Sequence, residues 1–548
     1  MIAVEGWKPA DGMELEPNAL TAVTETARNL VVTAGPGAGK TELLAQRADF
    51  LLRTGQCRYP RRILAISFKV DAAKNLKDRV SRRCPPELAA RLDSYTFHAF
   101  AKRLIDAFRP VLTGVNVLDV DYTIGPERIL RRQIDFDGMA PLAAEILETS
   151  DVARAALRQT YSAVFLDEFQ DCTTNQYNLV RAAFWGTDVR LIAVGDVKQR
   201  IMRWAGALDG VLATFAADFS AHPLVLYLNF RAQPRLRRMQ NAMIRVMEPD
   251  AALDDDKLAG EGGTVEVQQY PDSAAEASAV ADIIQSWITV DGVAPAEIAV
   301  LVAKQVPLYT HDLRSELRQR GVPFREDNEL QDLATEPIAA LMLDFLGVVV
   351  GEREPEAWTR LMDAALGWRF DDDADDKPFS ELRRAVSKAR DEYVRNQHGT
   401  LRELLDRFLA HVGADVLSGL TPQYQQGSRL EELIESVHTT LEDLVTKTDD
   451  VNQALRGFTG RDAVKLMTVH KAKGLEFDRV IVLAVEHEMY WGDEQDERAA
   501  YFVAVSRARN VLCLTTVEKR PAPPGAPWNW TVSRREHQEF LGYALTTA

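Results

Sequence analysis

The stretch AGPGAGKT at residues 34–41 constrains the fold of this chain more than any other part of the sequence. It follows a β-branched run, LVVTA at 30–34, and precedes an amphipathic stretch, ELLAQRADFLL at 42–52. Glycines in such a loop let backbone amides close on a phosphate chain, and the helix N-terminus that follows favours an anion. The pattern matches GxxxxGK[ST] except that alanine replaces the first glycine, so it predicts a phosphate-binding loop between a strand and a helix.

Five positions of this loop are candidate ligands of a nucleoside triphosphate. Gly35, Gly37 and Gly39 are placed to bring backbone amides against phosphate oxygens. Lys40 is placed to meet the outer phosphates, and the hydroxyl of Thr41 is suited to Mg²⁺. We therefore predict that these residues hold the triphosphate and its metal ion.

A second motif, VFLDEFQD at 164–171, places two adjacent carboxylates at the end of an apolar run. Asp167 suits a Mg²⁺ ligand, direct or through water, and Glu168 suits a base that orients an attacking water. The alternative is a pair of solvated acids at a strand end, which is common for a DE pair alone. The upstream phosphate loop favours the catalytic interpretation.

Short β-branched runs alternate with helical stretches, which is typical of parallel sheets covered by helices. Two sets of runs predict two α/β domains, at 1–230 and 231–548. Each domain carries a strand-poor, mainly helical insertion, at about 105–160 and about 352–460. The predicted strands are LVVTA, ILAIS, SAVFLD, RLIAV and LVLYL in the first set, and TVEVQQY, EIAVLV, VKLMTV, RVIVLAV and NVLCLTT in the second.

Bulk composition narrows the class of protein. A length of 548 residues suggests several domains, and four scattered cysteines indicate reduced thiols rather than a disulfide framework or a zinc site. The net charge of −16 argues against a histone-like binder of nucleic acid, although local basic patches matter more than the sum. The sequence has no apolar run of membrane-spanning length and its N-terminus does not resemble a signal peptide, so a cytoplasmic location is expected.

Further motifs lie before and after the second one, in a fixed order along most of the chain. Together they resemble the UvrD/Rep/PcrA family of superfamily 1 DNA helicases. The resemblance implies an α/β fold of two RecA-like P-loop domains with parallel sheets, each with a mainly helical insertion, and ATP and Mg²⁺ as cofactors. The motifs after the phosphate loop are ILAISFKVDAAKNLKDRV, YTFHAFAKRL, LDEFQD, VGDVKQRIMRWAGA, LNFR, VKLMTVHKAKGLEFDRVIV and DERAAYFVAVSRAR.

The resemblance also implies roles for single residues at the nucleotide. Gln199 matches a phosphate sensor, and Arg231 and Arg507 match two arginines that reach the γ-phosphate. Guanidinium suits this role because it is always charged and forks onto phosphate oxygens. Glu476 matches a ribose contact, and Phe230 matches an aromatic that stacks on the base.

A second group of residues matches positions that contact single-stranded DNA in this family. Trp204, with Phe68, Phe97 and His98, would offer rings on which bases stack with little sequence preference. Arg203 is a candidate for the DNA backbone, with a solvated surface position as its alternative. Trp204 as a plain core residue is the alternative for that ring.

The sequence departs from the family pattern where the adenine is normally recognised. Ala19 stands where a glutamine is usual, with Asn18 as the neighbouring amide, and Glu42 stands where an arginine is frequent. These departures weaken the expectation of strict adenine selectivity. Both insertions also look short for the family, which puts autonomous unwinding in doubt.

Three functional hypotheses remain open. The leading one is an ATP-dependent 3′–5′ translocase on single-stranded DNA and DNA helicase, with single-stranded or tailed duplex DNA as partner. The second is a motor or sensor subunit of a nuclease complex in DNA repair or anti-phage defence, with little unwinding alone. The third is a nucleotide-dependent DNA-binding module without turnover, against which the complete set of motifs argues. The oligomeric state and a preference for DNA over RNA stay open.

Overall fold

The structure is a computed structural model that divides into two compact units. The unit that we call the sheet unit comprises Met1–Phe97, Leu147–Asp327 and Asp462–Ala548, and the helical unit comprises His98–Ile146 and Asn328–Arg461. The residues described are 2–68, 70–125, 127–199, 208–226, 229–326, 333–334, 336–351, 354–366, 377–395, 400–420, 424, 428–460 and 462–545.

The strands form two large sheets and one small one. In chain order they are β1 (Leu30–Ala34), β2 (Arg62–Ser67), β3 (Leu92–Thr96), β4 (Leu118–Gly125), β5 (Arg131–Asp135), β6 (Tyr161–Leu166), β7 (Arg190–Gly195), β8 (His222–Leu226), β9 (Thr264–Asp272), β10 (Ile298–Val302), β11 (Phe324–Glu326), β12 (Val464–Thr468), β13 (Phe477–Val482) and β14 (Ala508–Lys519).

Helices connect and cover these strands. In chain order they are α1 (Pro17–Thr24), α2 (Lys40–Arg53), α3 (Val70–Arg83), α4 (Pro86–Ala89), α5 (Phe97–Phe108), α6 (Phe136–Thr149), α7 (Asp151–Thr160), α8 (Thr174–Phe184), α9 (Val211–Asp218), α10 (Pro234–Met247), α11 (Ser273–Thr289), α12 (Val306–Tyr309), α13 (His311–Gln319), α14 (Pro337–Val350), α15 (Pro355–Leu366), α16 (Lys377–Val394), α17 (Leu401–Val412), α18 (Ala414–Gly419), α19 (Arg429–Thr448), α20 (Val451–Thr459), α21 (Val469–Ala472), α22 (Glu494–Val505) and α23 (Gln538–Leu545).

The sheet unit contains two six-stranded parallel sheets, which confirms the α/β class expected from the sequence. The first has the order β3-β2-β6-β7-β1-β8, and the second has the order β11-β12-β10-β13-β14-β9. We call the first sheet with its helices the first lobe and the second sheet with its helices the second lobe. In the first lobe, β1 lies between β7 and β8, with Leu30 opposite Ile192 and His222. Every residue of β10 is buried, because helices cover both faces of a parallel sheet.

Helix α22 links the interior of the second lobe to its surface. It begins after Asp493, whose side chain accepts hydrogen bonds from the backbone N–H groups of Gln495 and Asp496 at 3.0 and 3.2 Å. This cap satisfies amides that have no partner inside the helix. The last eight residues of the helix are almost all buried, and Ser506 follows them directly. The helix therefore holds the chain on either side of it in fixed positions.

The helical unit combines parts of the two predicted insertions. Its larger part packs around stacked rings of Phe345 and Phe408, whose centroids lie 3.9 Å apart. Its smaller part is less helical than expected, because β4 and β5 pair there in a two-stranded sheet. Helix α7, assigned to the first insertion from the sequence, lies in the sheet unit, where Ala153 and Leu157 are buried. The predicted domain limits at 230/231 remain predictions.

The four cysteines are buried free thiols. Burial raises the pKa of Cys84 to about 12, with a further contribution from the nearby Asp49 carboxylate. Burial likewise raises the pKa of Cys513 to about 12. Among the described helices, none has the length and apolar character needed to cross a membrane.

Candidate active site

The phosphate loop has the predicted context, since β1 ends at Ala34 and α2 begins at Lys40. Gly37 and Gly39 adopt positive φ angles of 70° and 78°, a region that glycine occupies without strain. A Cβ atom at Gly37 would overlap Oδ1 of Asn229, so a larger residue would also collide. The first amides of the 14-residue helix α2 have no partner within the helix, which makes its N-terminus suited to an anion.

The two carboxylates of the second motif follow β6 and stand beside this loop. Nζ of Lys40 lies 3.5 Å from Oε1 of Glu168. The Glu168 backbone has a φ of 50°, a left-handed conformation that costs a non-glycine residue on the order of 1 kcal/mol or more. Its N–H donates to Oδ1 of Asp167 at 3.0 Å, and Nε2 of Gln170 donates to Oε2 of Glu168 at 2.6 Å. Contacts with Lys40 and Gln170 thus fix the orientation of the Glu168 carboxylate.

The environment separates the acidities of this pair. Burial raises the pKa of Asp167 to about 7, helped by the negative charge of Glu168. Burial acts in the same direction on Glu168, but the positive charges of Lys40 and Lys473 outweigh it and lower the pKa of Glu168 to about 2. Glu168 is therefore ionised at neutral pH and can accept a hydrogen bond from water.

Asp167 has the properties of a residue that receives a cation. Its side chain is buried, and within the described part of the chain no Lys, Arg or His side chain forms an ion pair with it. A metal ion would offset this burial and restore its charged form. The described residues contain no cluster of three or more His, Cys, Asp or Glu side chains arranged to hold a metal ion. Asp167 and Thr41 thus fit Mg²⁺ only if phosphate oxygens and water supply the other ligands.

Two cations of the second lobe reach the same place. The Nζ group of Lys473 donates to Oδ2 of Asp171 at 2.5 Å and to the backbone carbonyl of Gln199. Nη2 of Arg507 donates to Oε1 of Gln199 at 2.8 Å. Nε2 of Gln199 in turn donates to Oδ2 of Asp196 at 2.8 Å, at the end of β7. Gln199 therefore connects the first lobe to a guanidinium of the second.

Arg507 is a buried cation held mainly by neutral groups. Its side chain donates to the carbonyls of Val503 and Leu475 at 2.9 and 3.0 Å and to the hydroxyl of Ser506 at 2.8 Å. Across the described ranges, no carboxylate lies within ion-pair distance of it. Burial, with the nearby charge of Arg231, lowers the pKa of Arg507. A guanidinium in this situation gains most from an anion that enters the site.

The other predicted nucleotide residues lie next to the phosphate loop or pair with one another. The N–H of Phe230 donates to the carbonyl of Gly37 at 3.0 Å, and its ring is 66% exposed. Nε of Arg231 lies 2.6 Å from Oε2 of Glu476, which also faces Arg509 at 3.4 Å. A ribose at Glu476 would therefore share that carboxylate with two arginines.

The residues at the expected adenine side are already engaged. Nδ2 of Asn18 donates to the carbonyl of Val225 at 2.8 Å, and Ala19 is buried. The Glu42 carboxylate accepts hydrogen bonds from Gln46, Arg79 and Arg83 at 2.8, 2.8 and 2.9 Å. The two arginines of α3 thus bring guanidinium groups to the position where relatives often carry an arginine.

Lys473, Gln170 and Asp171 lie within the recognised motifs, but no role was predicted for them from the sequence. The charged HKAKG segment was the available signal for Lys473. Gln170 binds Glu168 with its amide N–H and accepts from the Asp196 backbone N–H at 3.0 Å through its carbonyl. Gln170 therefore ties the strand ends of β6 and β7 together at the carboxylates.

Three of the five predicted DNA contacts lie within the described residues, and their surroundings differ. Arg203 and Trp204 lie outside the described residues. Phe68 is half-buried at the end of β2. Phe97 is 3% exposed, so its ring offers no free face to a base here, and this burial argues against the predicted contact. In the helical unit, the half-buried His98 packs edge to face against Phe136, at a centroid distance of 5.9 Å, and burial lowers the pKa of the imidazole.

Comparison with known proteins agrees with this geometry. An AAA domain model matches residues 18–205, and a UvrD-like helicase C-terminal domain model matches residues 376–519. DNA helicase II of Escherichia coli strain K12 is 24% identical, over 91% of this chain and 84% of its own length. The Bacillus subtilis ATP-dependent DNA helicase PcrA is 22% identical, over 92% and 83%. Gabija protein GajB of Bacillus cereus strain VD045 is 24% identical, over 90% and 94%.

The family models cover two separate parts of the chain, whereas the alignments with these relatives extend over 90–92% of it. The two parallel sheets of the sheet unit agree with the two RecA-like domains of UvrD-like helicases. The chain therefore carries two domains that match helicase-type family models and is similar over most of its length to UvrD-like DNA helicases, which hydrolyse ATP with Mg²⁺ as the usual cofactor.

Proposed function

We propose that this protein is an ATP-driven translocase that moves 3′ to 5′ along single-stranded DNA and separates duplex DNA. The observation that carries the proposal is the meeting of both lobes at one site. Lys40, Asp167 and Glu168 come from the first lobe, and Arg507 reaches Gln199 from the second. Because the nucleotide would contact residues of both lobes, its binding and hydrolysis would change the distance between the lobes.

In this proposal the phosphate loop binds ATP through the backbone of Gly35, Gly37 and Gly39 and through the Lys40 ammonium group. Thr41 and Asp167 hold Mg²⁺, which when bound offsets phosphate charge. Gln170 and the left-handed backbone fix the direction of Glu168, which accepts a hydrogen bond from the attacking water. Arg231 and Arg507 stabilise the charge that develops on the transferred phosphoryl group.

Gln199 is the proposed link between hydrolysis and DNA. Its side chain bonds Arg507 and Asp196, and its backbone carbonyl accepts from Lys473. A γ-phosphate competes for the same Arg507 guanidinium, so binding and loss of that phosphate change the contacts of Gln199. Five residues later in the sequence stands Trp204, for which we propose a base contact together with Phe68 and His98, and Arg203 is proposed to face the DNA backbone.

The test is ATP hydrolysis by the purified full-length chain with single-stranded DNA, duplex DNA and RNA as separate additions. We expect single-stranded DNA to stimulate turnover most. A strand-displacement assay with 3′-tailed and 5′-tailed duplexes then reads polarity, and preference for the 3′ tail is expected. Turnover that does not respond to any nucleic acid would overturn the proposal.

A second function is favoured by one observation. The match to Gabija protein GajB covers 94% of that protein, whereas the match to DNA helicase II covers 84% of the helicase. The chain thus matches GajB over a larger share of its length. This supports the alternative of a motor or sensor subunit of a nuclease complex in DNA repair or anti-phage defence.

Unwinding by the isolated chain separates the two functions. The leading proposal expects strand displacement by the purified protein alone. The alternative expects DNA-stimulated hydrolysis with little displacement until a nuclease partner is added. Robust displacement without a partner would count against the alternative.

A further inference from the structure

An ion pair beside the predicted phosphate sensor has no role in the functions assigned so far. Lys198 directly precedes Gln199 in the loop after β7, and its side chain is buried. Its Nζ group donates to Oε2 of Glu248 at 2.6 Å and lies 3.4 Å from Oδ1 of Asp196. Burial alone would lower the pKa of Lys198, but the charges of Asp196 and Glu248 outweigh it and raise that pKa. Lys198 is therefore a buried, charged ammonium group shared by two acids.

Glu248 brings one of these acids from the second lobe. It follows α10, whose residues Leu236, Met239 and Met243 are buried in the same core as β10 and β13. Its backbone N–H donates to the carbonyl of Ile244 at 2.8 Å, so the carboxylate stands at the fixed end of a helix. A carboxylate at a helix C-terminus is disfavoured by the helix dipole, so the stability of α10 does not account for it. The pair with Lys198 gives this acid a reason to be there.

Asp196 connects the ion pair to the phosphate sensor. Its side chain is completely buried, and its Oδ1 atom accepts the backbone N–H of Lys198 at 3.1 Å. Its Oδ2 atom accepts a hydrogen bond from Nε2 of Gln199, which leaves Oε1 of the same amide facing Arg507. A buried carboxylate keeps its charge when a cation lies beside it, and Lys198 supplies that cation. Lys198 therefore acts on Gln199 through Asp196.

Two kinds of contact between the lobes meet at this loop. Arg507 donates to Gln199, and a γ-phosphate would compete for that guanidinium. The Lys198 ammonium group lies between two carboxylates, whose negative charge disfavours a phosphate at the same place. The nucleotide can therefore exchange the contact of Arg507 but not the contact of Lys198.

We infer that Lys198 is a positioning residue for ATP hydrolysis, which keeps the phosphate-sensing loop attached to the second lobe through Glu248 while Gln199 changes partners. This inference rests on the proposed function and adds a residue to its hydrolysis step. The pair holds the lobes at the separation at which Arg507 reaches Gln199, so the guanidinium is in place before the phosphoryl group is transferred. Without the pair, ATP still binds at the phosphate loop of the first lobe, but the lobes adopt this arrangement less often.

The experiment measures steady-state ATP hydrolysis by the full-length protein, with and without oligothymidylate. Glu248→Gln is expected to lower kcat about tenfold and to change KM for ATP less than about twofold, because the phosphate loop lies on the first lobe. Glu248→Asp is expected to recover part of kcat. The matched control is Glu261→Gln, since Glu261 pairs at 3.0 Å with Arg235 of the same helix at an exposed position, and its kcat should equal that of the unaltered chain. Circular dichroism checks that each variant is folded.

A double-mutant cycle tests whether Glu248 acts through Lys198. Lys198→Met removes the ammonium group and keeps a side chain of similar shape. Glu248→Gln should lower kcat in the unaltered chain and have little further effect when Lys198→Met is present. Lys198→Arg should retain more turnover than Lys198→Met, because a guanidinium keeps the positive charge between the two acids.

Three results would overturn the inference while leaving the proposed function in place. One is an unchanged kcat in Glu248→Gln. Another is an equal loss from Glu248→Gln in the presence and absence of Lys198→Met, which would show that the acid acts through a different partner. The third is a raised KM for ATP with kcat intact, which would assign the pair to nucleotide binding. If the unaltered chain does not hydrolyse ATP under any of these conditions, the proposed function and this inference fail together.

Discussion

The two lobes of the sheet unit share one architecture but differ in the segments that follow equivalent strands. Each is a six-stranded parallel sheet. After β1 the first lobe continues into a glycine loop and the long helix α2, so backbone amides are available to phosphate. After β10 the second lobe continues through Lys304 into the four-residue helix α12, and Lys304 supports a tryptophan instead. The position after β1 thus carries a phosphate loop, whereas the corresponding position after β10 carries Lys304 and a short helix.

The contribution of the second lobe to the active site is positive charge. Lys473 and Arg507 both reach partners of the first lobe, Asp171 and Gln199. In the proposed mechanism, the first lobe supplies Asp167, Glu168 and the phosphate loop, and the second supplies cations that would stabilise a developing negative charge. This division explains why chemistry would depend on contact between lobes, and the following variants examine it.

The largest effect is expected from the first lobe. Lys40→Ala removes the cation beside the phosphates, and Glu168→Gln removes the charge that orients water, so either variant should lower ATP turnover roughly 10⁴-fold. A coupled-enzyme ATPase assay measures this loss. Lys257→Ala, which alters a half-exposed lysine far from these motifs in sequence, is the control and should retain full turnover. Normal DNA-stimulated turnover in either active-site variant would show that the site is misassigned.

The second-largest effect is expected from a substitution in the second lobe. Arg507→Ala is expected to lower kcat roughly 10³-fold, because a buried guanidinium near the transferred phosphate stabilises the transition state. Arg507→Lys should recover little, since an ammonium group cannot make the same forked contact. Arg320→Ala removes a surface arginine of the same lobe that pairs with Asp282, and serves as the control. If Arg507→Ala changed KM for ATP and left kcat intact, the division between the lobes would be wrong.

A smaller effect is expected at the contact between the lobes. Lys473→Met leaves the buried Asp171 carboxylate without its cation, so kcat should fall about tenfold and Tm should drop by several degrees. Lys473→Arg should restore part of both. A double-mutant cycle with Asp171→Asn measures the coupling, which should be at least about 1 kcal/mol for a buried contacting pair. Additive effects of the two substitutions would show that this contact does not join the lobes.

The last prediction compares the reactivity of one cysteine in each lobe and requires no substitution. Because burial raises the pKa of Cys84 and of Cys513 to about 12, both thiols stay protonated at pH 8 and react roughly a thousandfold more slowly than free cysteine. Labelling at increasing denaturant, followed by peptide mapping, then reports the opening of each lobe. The contact through Lys473 predicts that the two cysteines become reactive together. Clearly separate transitions would mean that the lobes unfold independently.

Much of the fold could be predicted because interior strands of a parallel sheet are buried on both faces. Each of the ten predicted runs overlaps a strand of the two large sheets, although some extend past it: RVIVLAV continues three residues beyond β13, and the last two residues of LVLYL lie outside the described residues. The two strands of these sheets that were missed, β3 and β11, each lie at a sheet edge. β3 reads LDSYT with three half-buried residues, and β11 has only three residues, so neither carries the apolar run that marks an interior strand. The sequence thus predicts which strands are buried, but it does not show which short or half-buried segments join a sheet by hydrogen bonds.

The local parts of the site were predictable and the contacts between distant segments were not. The phosphate loop and the DE pair each occupy a few consecutive residues with a strand before them. The Lys473–Asp171 contact joins residues 302 positions apart, and no local pattern encodes such a pairing. The same holds for Glu42, whose departure from the family was visible but whose arginine partners on α3 were not.

The length of helix α22 sets how far a small rotation would displace its far end. It is one continuous element of 12 residues, with Arg507 just beyond one end and Trp491 just before the other. A tilt of about 10° around the Arg507 end would displace the opposite end by about 3 Å, given a length of about 18 Å. That distance is close to the rise of about 3.4 Å between successive nucleotides of one strand. In the proposed translocase, a rotation of the second lobe by about this angle would therefore move a strand held beyond the far end of the helix by about one nucleotide.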